Sequence, residues 1–303
     1  MLNKIPDIMH PTAFIACQLF FSMLNDIYVE DGGFCLAPTT SLKILDVGSC
    51  DVNGNLRSSI QQSRFRSRNY EYLGIDISEG PNVDLVYNNT QWPFQQYSQG
   101  ASPDYISSQL FDIIISSSCF EHDDFFWETF LNIADSLNPG GFIFINVPSS
   151  GMVHRFPVDN WRLYSDSAYA LAKWANRHGH HLHVIHTSTI PCCNSPYNVN
   201  CDTNMIFWKP YYPPTSTPSD IDSFNGEDSH CLGLPEVHSA LQSEEQLQKF
   251  FKLFRADVIS RLNSYVMHTT QKTDDLIAMP DEDERHLSEL VDPDARPYRT
   301  LFP

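Results

Sequence analysis

The sequence predicts an α/β fold built on a doubly wound, mostly parallel sheet. Short apolar runs that suit buried strands recur between residues 43 and 210, and stretches with helical spacing of apolar residues lie among them. Several of these runs end in Asp, Gly, Asn or Ser, and open α/β sheets bind their ligands at the carboxyl ends of the strands. The chain of 303 residues is long enough for one large core and an appendage.

The first predicted strand, within residues 43–54, carries the most information. Its apolar residues can bury a central parallel strand, and Gly48 lets the chain turn sharply beneath a ligand, where a side chain would block the backbone. The loop lacks the G-x-G-x-x-G pattern of dinucleotide sites. Asp46 and Asp51 would repel a pyrophosphate and attract a sulfonium or an amino group. Taken alone, the segment also fits any buried strand that ends in D-x-G.

The second and third predicted strands, residues 72–77 and 83–87, are followed by polar side chains. An acid at the tip of the second strand can accept hydrogen bonds from both hydroxyls of a ribose, so Asp76 is the best single candidate for a ribose ligand. Asn88 follows the third strand and can pair with the edge of an adenine. The alternative for Asn88 is a turn with Asn89 that needs positive φ.

The fourth and fifth predicted strands, residues 111–117 and 142–147, enclose a helix. Apolar residues recur at helical spacing from 126 to 137, and the sequence Asn-Pro-Gly-Gly at 138–141 stops the helix before the fifth strand. The segment Ser-Cys-Phe-Glu-His at 118–122 comes directly after the fourth strand. It is therefore expected at the edge of the sheet where ligands bind.

Three motifs make the chain resemble the class I S-adenosylmethionine-dependent methyltransferases. They are F-D-x-I-x-S at 111–116, E-H at 121–122, and L-x-P-G-G-x-x-x-x-x-x-P at 137–148. The resemblance covers about residues 43–210. It implies a Rossmann-like, doubly wound sheet of seven strands, mostly parallel, with an antiparallel edge hairpin formed by residues 183–190 and 205–209.

The resemblance also implies the cofactor and its ligands. The cofactor is S-adenosylmethionine, and the matching positions for binding it are Asp46, Gly48, Ser49, Cys50, Asp76, Ile77, Asn88 and Ser117. Two positions depart from the family pattern, because Cys50 stands where glycine is usual and Asn88 replaces a commoner acid. Both side chains still suit the site, since cysteine is small and asparagine both donates to and accepts from the adenine edge.

A narrower resemblance concerns residues 154–164, His-Arg-Phe-Pro-Val-Asp-Asn-Trp-Arg-Leu-Tyr. The pattern is similar to a subgroup of methyltransferases associated with glycan biosynthesis, which implies O-methylation of a small-molecule or saccharide hydroxyl. The acceptor is then expected against a polar and aromatic wall formed by Arg155, Trp161, Arg162 and Tyr164. Alternatively, Trp161 and Tyr164 are buried in the core of the domain.

Transfer to an aliphatic hydroxyl requires a base, because the pKa of such a hydroxyl lies far above neutrality. A histidine, alone or polarised by an aspartate, is the usual base. His154 is the first candidate and Asp159 and His122 are the others, since all three lie just beyond the carboxyl ends of the fifth or fourth strand. The alternatives are that His154 caps its loop and that His122 packs against the cofactor.

No metal site is predicted. The chain between 178 and 201 is rich in potential zinc ligands: His178, His180, His181, His183, His186, Cys192, Cys193 and Cys201. They lack a paired spacing such as C-x-x-C with H-x-x-x-H. The alternation around His181 and His183 suits a half-exposed edge strand instead.

Charge and cysteine content restrict the partners and the compartment. The formal net charge is −18 and no basic stripe occurs, so DNA, RNA and anionic membranes are poor substrates. No segment approaches the run of about twenty apolar residues that a membrane helix needs. The eight cysteines are spread through the chain and do not form a secreted disulfide framework, which predicts a reducing cytoplasm.

Four segments are expected. Residues 1–35 form an N-terminal helical segment that packs on the sheet edge or over the cofactor, and residues 36–211 form the methyltransferase domain. Residues 212–239 form a linker or cover loop, and residues 240–303 form a helical extension with an acidic tail. An apolar stripe from Leu247 to Val266 packs on its own domain or, alternatively, forms a homodimer.

Two functions of different classes remain open. The first is methyl transfer by an enzyme, which the intact succession of polar residues at the strand ends favours. The second is a catalytically silent S-adenosylmethionine-binding scaffold that uses the apolar stripe to regulate a partner, and the atypical Cys50 and Asn88 allow it. A nicotinamide-dependent dehydrogenase is a distant third, because the phosphate-loop glycines are missing.

Overall fold

A computed structural model describes residues 11–27, 41–52, 54–87, 92–93, 110–191, 200–210 and 244–270. Seven strands of this part of the chain form one sheet: β1 (Leu42–Val47), β2 (Tyr70–Asp76), β3 (Leu85–Val86), β4 (Phe111–Ser117), β5 (Leu137–Ser150), β6 (His183–Pro191) and β7 (Cys201–Trp208). The helices are α1 (Pro11–Ile27), α2 (Leu56–Gln62), α3 (Phe126–Ser136), α4 (Ser167–Arg177), α5 (Glu244–Phe250) and α6 (Phe254–Thr270), with 3-10 turns at Arg64–Ser67 and Phe120–His122.

The strand order in the sheet is β3-β2-β1-β4-β5-β7-β6. β1 pairs in parallel with β2 on one side and with β4 on the other, β5 is parallel to β4, and β7 runs antiparallel between β5 and β6. The direction of winding reverses between β1 and β4, and open α/β sheets bind ligands in the crevice at such a point. The predicted fold class is confirmed, including the antiparallel hairpin at one edge.

Helices cover both faces of the sheet because β5 is apolar on both sides. Ile143 and Ile145 belong to a core shared with α3 and α4. Phe144, between them, stacks on Phe20 of α1 with 5.1 Å between the ring centroids. All four side chains are buried. The N-terminal helix therefore packs on a face of the sheet instead of on its edge.

The apolar stripe near the carboxyl end is divided between α5 and α6, with a turn at residues 251–253. Five of its apolar residues are buried within the chain, namely Leu247, Phe251, Phe254, Val258 and Leu262, whereas Phe250 and Ile259 are half-buried. The Phe251 ring lies 6.5 Å from that of Phe20 in α1, and the Phe254 ring lies 5.0 Å from that of His186 in β6. The stripe thus packs on its own domain, as expected first.

Two strand boundaries differ from the predicted ones. β3 has only two residues, which pair with Ile75 and Asp76 of β2 at the edge of the sheet. β5 begins at Leu137, before the Asn-Pro-Gly-Gly sequence. The side chain of Asn138 donates to Asp112 at 2.9 Å and the backbone N–H of Gly140 donates to the carbonyl of Lys209 at 2.6 Å. These bonds join the helix-stop residues to the sheet.

Some predictions fall outside the described residues, namely those for Asn88, Cys192, Cys193, the linker at 212–239 and the acidic tail. The contacts divide the chain into Met1–Ser264 and Tyr265–Pro303, and the described part of the second unit is the end of α6. None of the described helices is long and apolar enough to cross a membrane.

Candidate active site

The turn after β1 approaches the turn after β4 so closely that only glycine fits at its first position. Gly48 has a φ of +75°, and a Cβ built there would lie 2.6 Å from Sγ of Cys119. The backbone N–H groups of Gly48 and Ser49 both donate to the carbonyl of Ile75, at 2.9 and 3.0 Å. This geometry is the sharp turn that the sequence predicts at the carboxyl end of β1.

Asp76 presents its carboxylate at the carboxyl end of β2. One oxygen accepts the backbone N–H of Cys50 at 3.0 Å, and the other accepts the N–H and hydroxyl of Ser78 at 3.1 and 3.2 Å. A carboxylate has about four acceptor positions, so further hydroxyl donors can still bind here. The site therefore fits the ribose of the expected cofactor. Ile77, which follows, is exposed.

Asp46 lies beneath the loop, with only 3% of the residue exposed. Its carboxyl accepts the Tyr72 hydroxyl at 2.5 Å, and the Asn82 amide donates to the Tyr72 oxygen and to the carbonyl of Ser49, both at 3.0 Å. Burial raises the pKa of Asp46 to about 7, and the hydrogen bond from Tyr72 offsets part of that rise. The arrangement anchors the loop from below. The hydroxyl of Ser49 is buried and has no hydrogen-bond partner among the described residues.

Ser117 closes the ligand-facing end of β4. Its hydroxyl donates to Asn146 of β5 at 3.3 Å, and the Asn146 amide donates to Asn204 of β7 at 2.9 Å. Both asparagines are buried. This row of polar side chains ties the carboxyl end of β4 to β5 and, through β5, to β7.

A second group of site residues surrounds Glu121, in the turn after β4. The Glu121 side chain is 1% exposed, and neither of its oxygens has a hydrogen-bond partner among the described residues. Its Oε1 atom lies 3.6 Å from Nε2 of His122 and 3.7 Å from Nε2 of His154. The two imidazole rings are nearly perpendicular, with centroids 5.0 Å apart. The fold thus brings together two predicted catalytic histidines and a carboxylate that was not predicted as a site residue.

The other ring nitrogens of both histidines face backbone carbonyls. Nδ1 of His122 lies 2.5 Å from the carbonyl oxygen of Val158, and Nδ1 of His154 lies 3.3 Å from that of Met152. A carbonyl only accepts hydrogen bonds, so each Nδ1 carries hydrogen. In the neutral rings the lone pairs are then on Nε2, facing Glu121. Two lone pairs that face a carboxylate repel it unless a proton or a cation lies between them.

The loop that carries His154 is fixed by an ion pair. Arg162 donates to both carboxylate oxygens of Asp159, at 2.6 and 2.8 Å, and the backbone N–H of His154 donates to Asp159 at 2.7 Å. The Arg162 guanidinium holds the pKa of Asp159 well below its usual range. The Glu121 carboxylate raises the pKa of His154, and partial burial of the ring opposes that rise. Asp159 therefore stays ionised and positions the histidine loop.

Of the four residues predicted to form the acceptor wall, two are engaged within the protein. Arg162 is bound to Asp159. Trp161 is half-buried, donates from Nε1 to the carbonyl of Asp123 at 2.8 Å, and packs edge-on against Phe126. Arg155 and Tyr164 are exposed and remain free to meet an acceptor.

Cys119 lies in the turn after β4, two residues before Glu121, and its side chain meets the Gly48 turn. Desolvation raises the pKa of its thiol, and the charges of Asp123, Glu121 and Asp76 raise that pKa further.

The histidine-rich segment does not gather its described side chains around one point. His180 lies 3.6 Å from Asp135, His183 lies 2.6 Å from Glu244, and Nε2 of His186 lies 2.8 Å from the hydroxyl of Ser188. Within the described residues, the group that brings three potential metal ligands together is Glu121, His122 and His154. The E-H motif was the signal for Glu121, although the sequence did not indicate its burial.

The profile of a family described as a methyltransferase domain matches residues 33–191. No curated protein matches the chain. Among solved structures, an S-adenosylmethionine-dependent methyltransferase from Clostridium acetobutylicum is 9% identical, with a TM-score of 0.38 over 68% of this chain and 94% of that one. The N-methyltransferase NodS of Bradyrhizobium japonicum is 11% identical, with a TM-score of 0.36 over 68% and 100%. The 1,6-didemethyltoxoflavin-N1-methyltransferase of Burkholderia thailandensis is 15% identical, with a TM-score of 0.38 over 70% and 93%.

Proposed function

Because the chain belongs to the methyltransferase-domain family, we propose that it is an enzyme that methylates a hydroxyl of a small molecule or saccharide. Its cofactor is S-adenosylmethionine, whose sulfonium supplies the methyl group. The observation that carries the choice of oxygen is the buried Glu121 beside Nε2 of His122 and of His154. An aliphatic hydroxyl still holds its proton at working pH, so its methylation needs a base.

The cofactor is proposed to bind along the carboxyl ends of β1, β2 and β4. The Asp76 carboxylate accepts the ribose hydroxyls, and the Gly48 turn keeps side chains out of the path of the ligand. Asp46 supports that turn from beneath. The remaining residues proposed to contact the cofactor are Ser49, Cys50, Ile77, Asn88 and Ser117.

His154 is proposed as the base. Its side chain is 42% exposed, so an acceptor hydroxyl has access to the ring. Glu121 stabilises the imidazolium that forms when the ring takes the proton, and Asp159 holds the loop in place. A positioned base contributes about 10²–10⁴-fold to the rate. His122 also lies beside the Glu121 carboxylate and is proposed to help position it.

The acceptor is proposed to lie against the exposed side of the His154 loop. Arg155 and Tyr164 contact it directly, whereas Trp161 and Arg162 shape the wall from behind through their own partners. A saccharide, the narrower proposal, matches a mixed polar and aromatic surface. The exposed side chains of Met152 and Phe156 on the same loop also admit acceptors with an apolar part.

The cellular compartment and the segment boundaries are also proposed. A reducing cytoplasm fits the described cysteines, which are free thiols. The methyltransferase domain is proposed at 36–211, preceded by a helical segment at 1–35 and followed by a linker at 212–239 and an extension at 240–303.

The test of this function is a methyl-transfer assay with isotope-labelled S-adenosylmethionine and a panel of saccharides, small alcohols and matched amines. The proposal predicts labelled methyl on oxygen for at least one hydroxyl acceptor, and much less label with His154→Ala. Label only on nitrogen or carbon would reject O-methylation. Unchanged turnover in the variant would reject the base.

A further inference from the structure

Glu121, His122 and His154 present three ligand atoms to one space. Besides the two distances from Oε1 of Glu121, 3.6 and 3.7 Å, all three atoms lie within 4.8 Å of one another. Bonds of about 2.0–2.2 Å to a metal ion place neighbouring ligand atoms roughly 3.0–3.5 Å apart. The cluster reaches that spacing if its atoms move inward by up to about 1 Å.

The burial of Glu121 is an independent observation that points to a ligand. Its side chain is 99% buried, and neither carboxylate oxygen has a hydrogen-bond partner among the described residues. An ionised carboxylate in such a place is costly unless it is paired or coordinates a metal. Both neighbouring Nε2 atoms carry lone pairs when the rings are neutral, so a cation satisfies all three groups at once.

The outer hydrogen bonds of the histidines are those that metal-binding histidines make. A ligating histidine almost always donates its other ring N–H to a carboxylate, a carbonyl or water. His122 donates to the carbonyl of Val158 and His154 faces that of Met152. These contacts favour the tautomer in which Nδ1 carries the hydrogen and Nε2 the lone pair. The Asp159 carboxylate, 3.7 Å from Nδ1 of His154, favours the same tautomer.

We propose that Glu121, His122 and His154 bind one divalent transition-metal ion, whose remaining positions face the acceptor. Two imidazoles and one carboxylate favour ions such as Zn²⁺, Mn²⁺ or Fe²⁺ over Mg²⁺ and Ca²⁺, which prefer oxygen ligands. His154 lies at the exposed side of the cluster, so the open positions are on that side. The amino-acid sequence alone predicted no metal.

A bound ion would change how the hydroxyl is activated. Coordination lowers the pKa of a bound hydroxyl, so the proton passes to solvent water and the oxygen keeps the electron pair of the O–H bond. His154 is then a ligand, and its role as the base applies to the protein without the ion. This consequence rests on the proposed function, whereas binding of the ion does not.

The test is titration of the chelator-treated, full-length protein with Co²⁺, followed by visible absorption, without methyl donor or acceptor. We expect one equivalent to bind, and Glu121→Gln and His154→Ala each to weaken binding by at least about tenfold. The two variants complement each other, because Glu121→Gln keeps the shape of a buried side chain, whereas His154→Ala alters an exposed loop. Glu71→Gln and His181→Ala, both at exposed positions outside the cluster, should bind as the wild type does.

The outcome separates this proposal from the proposed function. Absence of a Co²⁺ site, or a site that survives both cluster variants, would overturn the metal proposal and leave a protonated Glu121–His154 pair. A site lost in His181→Ala would assign the metal to the histidine-rich segment and equally overturn it. Cofactor binding, measured on the same samples, reports on the methyltransferase reaction independently.

Discussion

Oε1 of Glu121 lies 3.7 Å from Nε2 of His154, in contact distance for an ion pair, yet the carboxylate is buried and lacks a hydrogen-bond partner among the described residues. The two residues come from different loops, one after β4 and the other after β5. Asn160 joins these loops, because its backbone N–H donates to the carbonyl of Glu121 at 2.7 Å. The chemistry of the site therefore depends on how the two loops are held together.

Removing the imidazole of His154 should affect turnover and spare the cofactor. For His154→Ala we expect a fall in kcat of about 10²–10⁴-fold, because the hydroxyl loses its activating group. The Kd for S-adenosylhomocysteine should remain within about twofold, since Asp76 and the Gly48 turn are unchanged. Steady-state kinetics and calorimetry measure the two quantities, and an equal loss of both would reject a catalytic role.

Gly48→Ala should destabilise the protein more than its matched control, Gly179→Ala. Both glycines have positive φ, +75° and +89°, but a Cβ at Gly179 meets nothing within 4 Å, whereas one at Gly48 meets Cys119 at 2.6 Å. We expect Gly48→Ala to lose roughly 1–3 kcal/mol more in the free energy of unfolding. Urea denaturation of the two variants measures the difference. Equal losses would show that φ strain alone accounts for the effect.

Asp46 should make the protein less stable as the pH rises. Its folded pKa of about 7 lies above the ordinary value of 3.8, so the folded state holds the proton more tightly. Its stabilising contribution is complete below about pH 4 and is lost as the pH rises towards 7. Asp46→Asn removes this dependence, so its stability relative to wild type should increase by about 2 kcal/mol between pH 5 and pH 8. Urea denaturation at both pH values measures the difference, and a constant difference would contradict the buried, protonated carboxyl.

Arg162→Ala should loosen the histidine loop. The Asp159 side chain is buried and would lose both hydrogen bonds from the guanidinium, which costs about 3 kcal/mol. We expect faster amide hydrogen exchange near His154 and lower turnover. Arg155→Ala is the control, because Arg155 is exposed; it should leave stability unchanged and raise the KM for the acceptor. If both variants have the same stability, the ion pair does not hold the loop.

The sequence was sufficient to locate most strands along the chain, because buried parallel strands are apolar on both faces and end in recognisable turns. It was less informative where tertiary packing decides. Arg162 was expected at the acceptor, but its spacing to Asp159 allows a bidentate ion pair. The turn at 251–253 divides the apolar stripe between two helices, and no glycine or proline marks it in the sequence.

The cluster of Glu121, His122 and His154 was predictable only in part. The positions of His122 and His154 after β4 and β5 placed both at one edge of the sheet. Their approach to a shared carboxylate depends on the carbonyls of Val158 and Met152, which orient the rings, and no side-chain pattern encodes backbone contacts. Glu121 was visible as a motif residue, but its burial follows from the closure of one loop over another.

The most direct test of the account is calorimetric titration of the purified protein with S-adenosylmethionine and S-adenosylhomocysteine, with NAD as a control ligand. Asp76→Ala is the test variant, and Glu79→Ala, an exposed carboxylate nearby, is its matched control. We expect wild type and Glu79→Ala to bind both S-adenosyl ligands, Asp76→Ala to lose most of that affinity, and NAD not to bind. No binding of either S-adenosyl ligand to the wild type, or equal binding to Asp76→Ala, would contradict the assigned cofactor site.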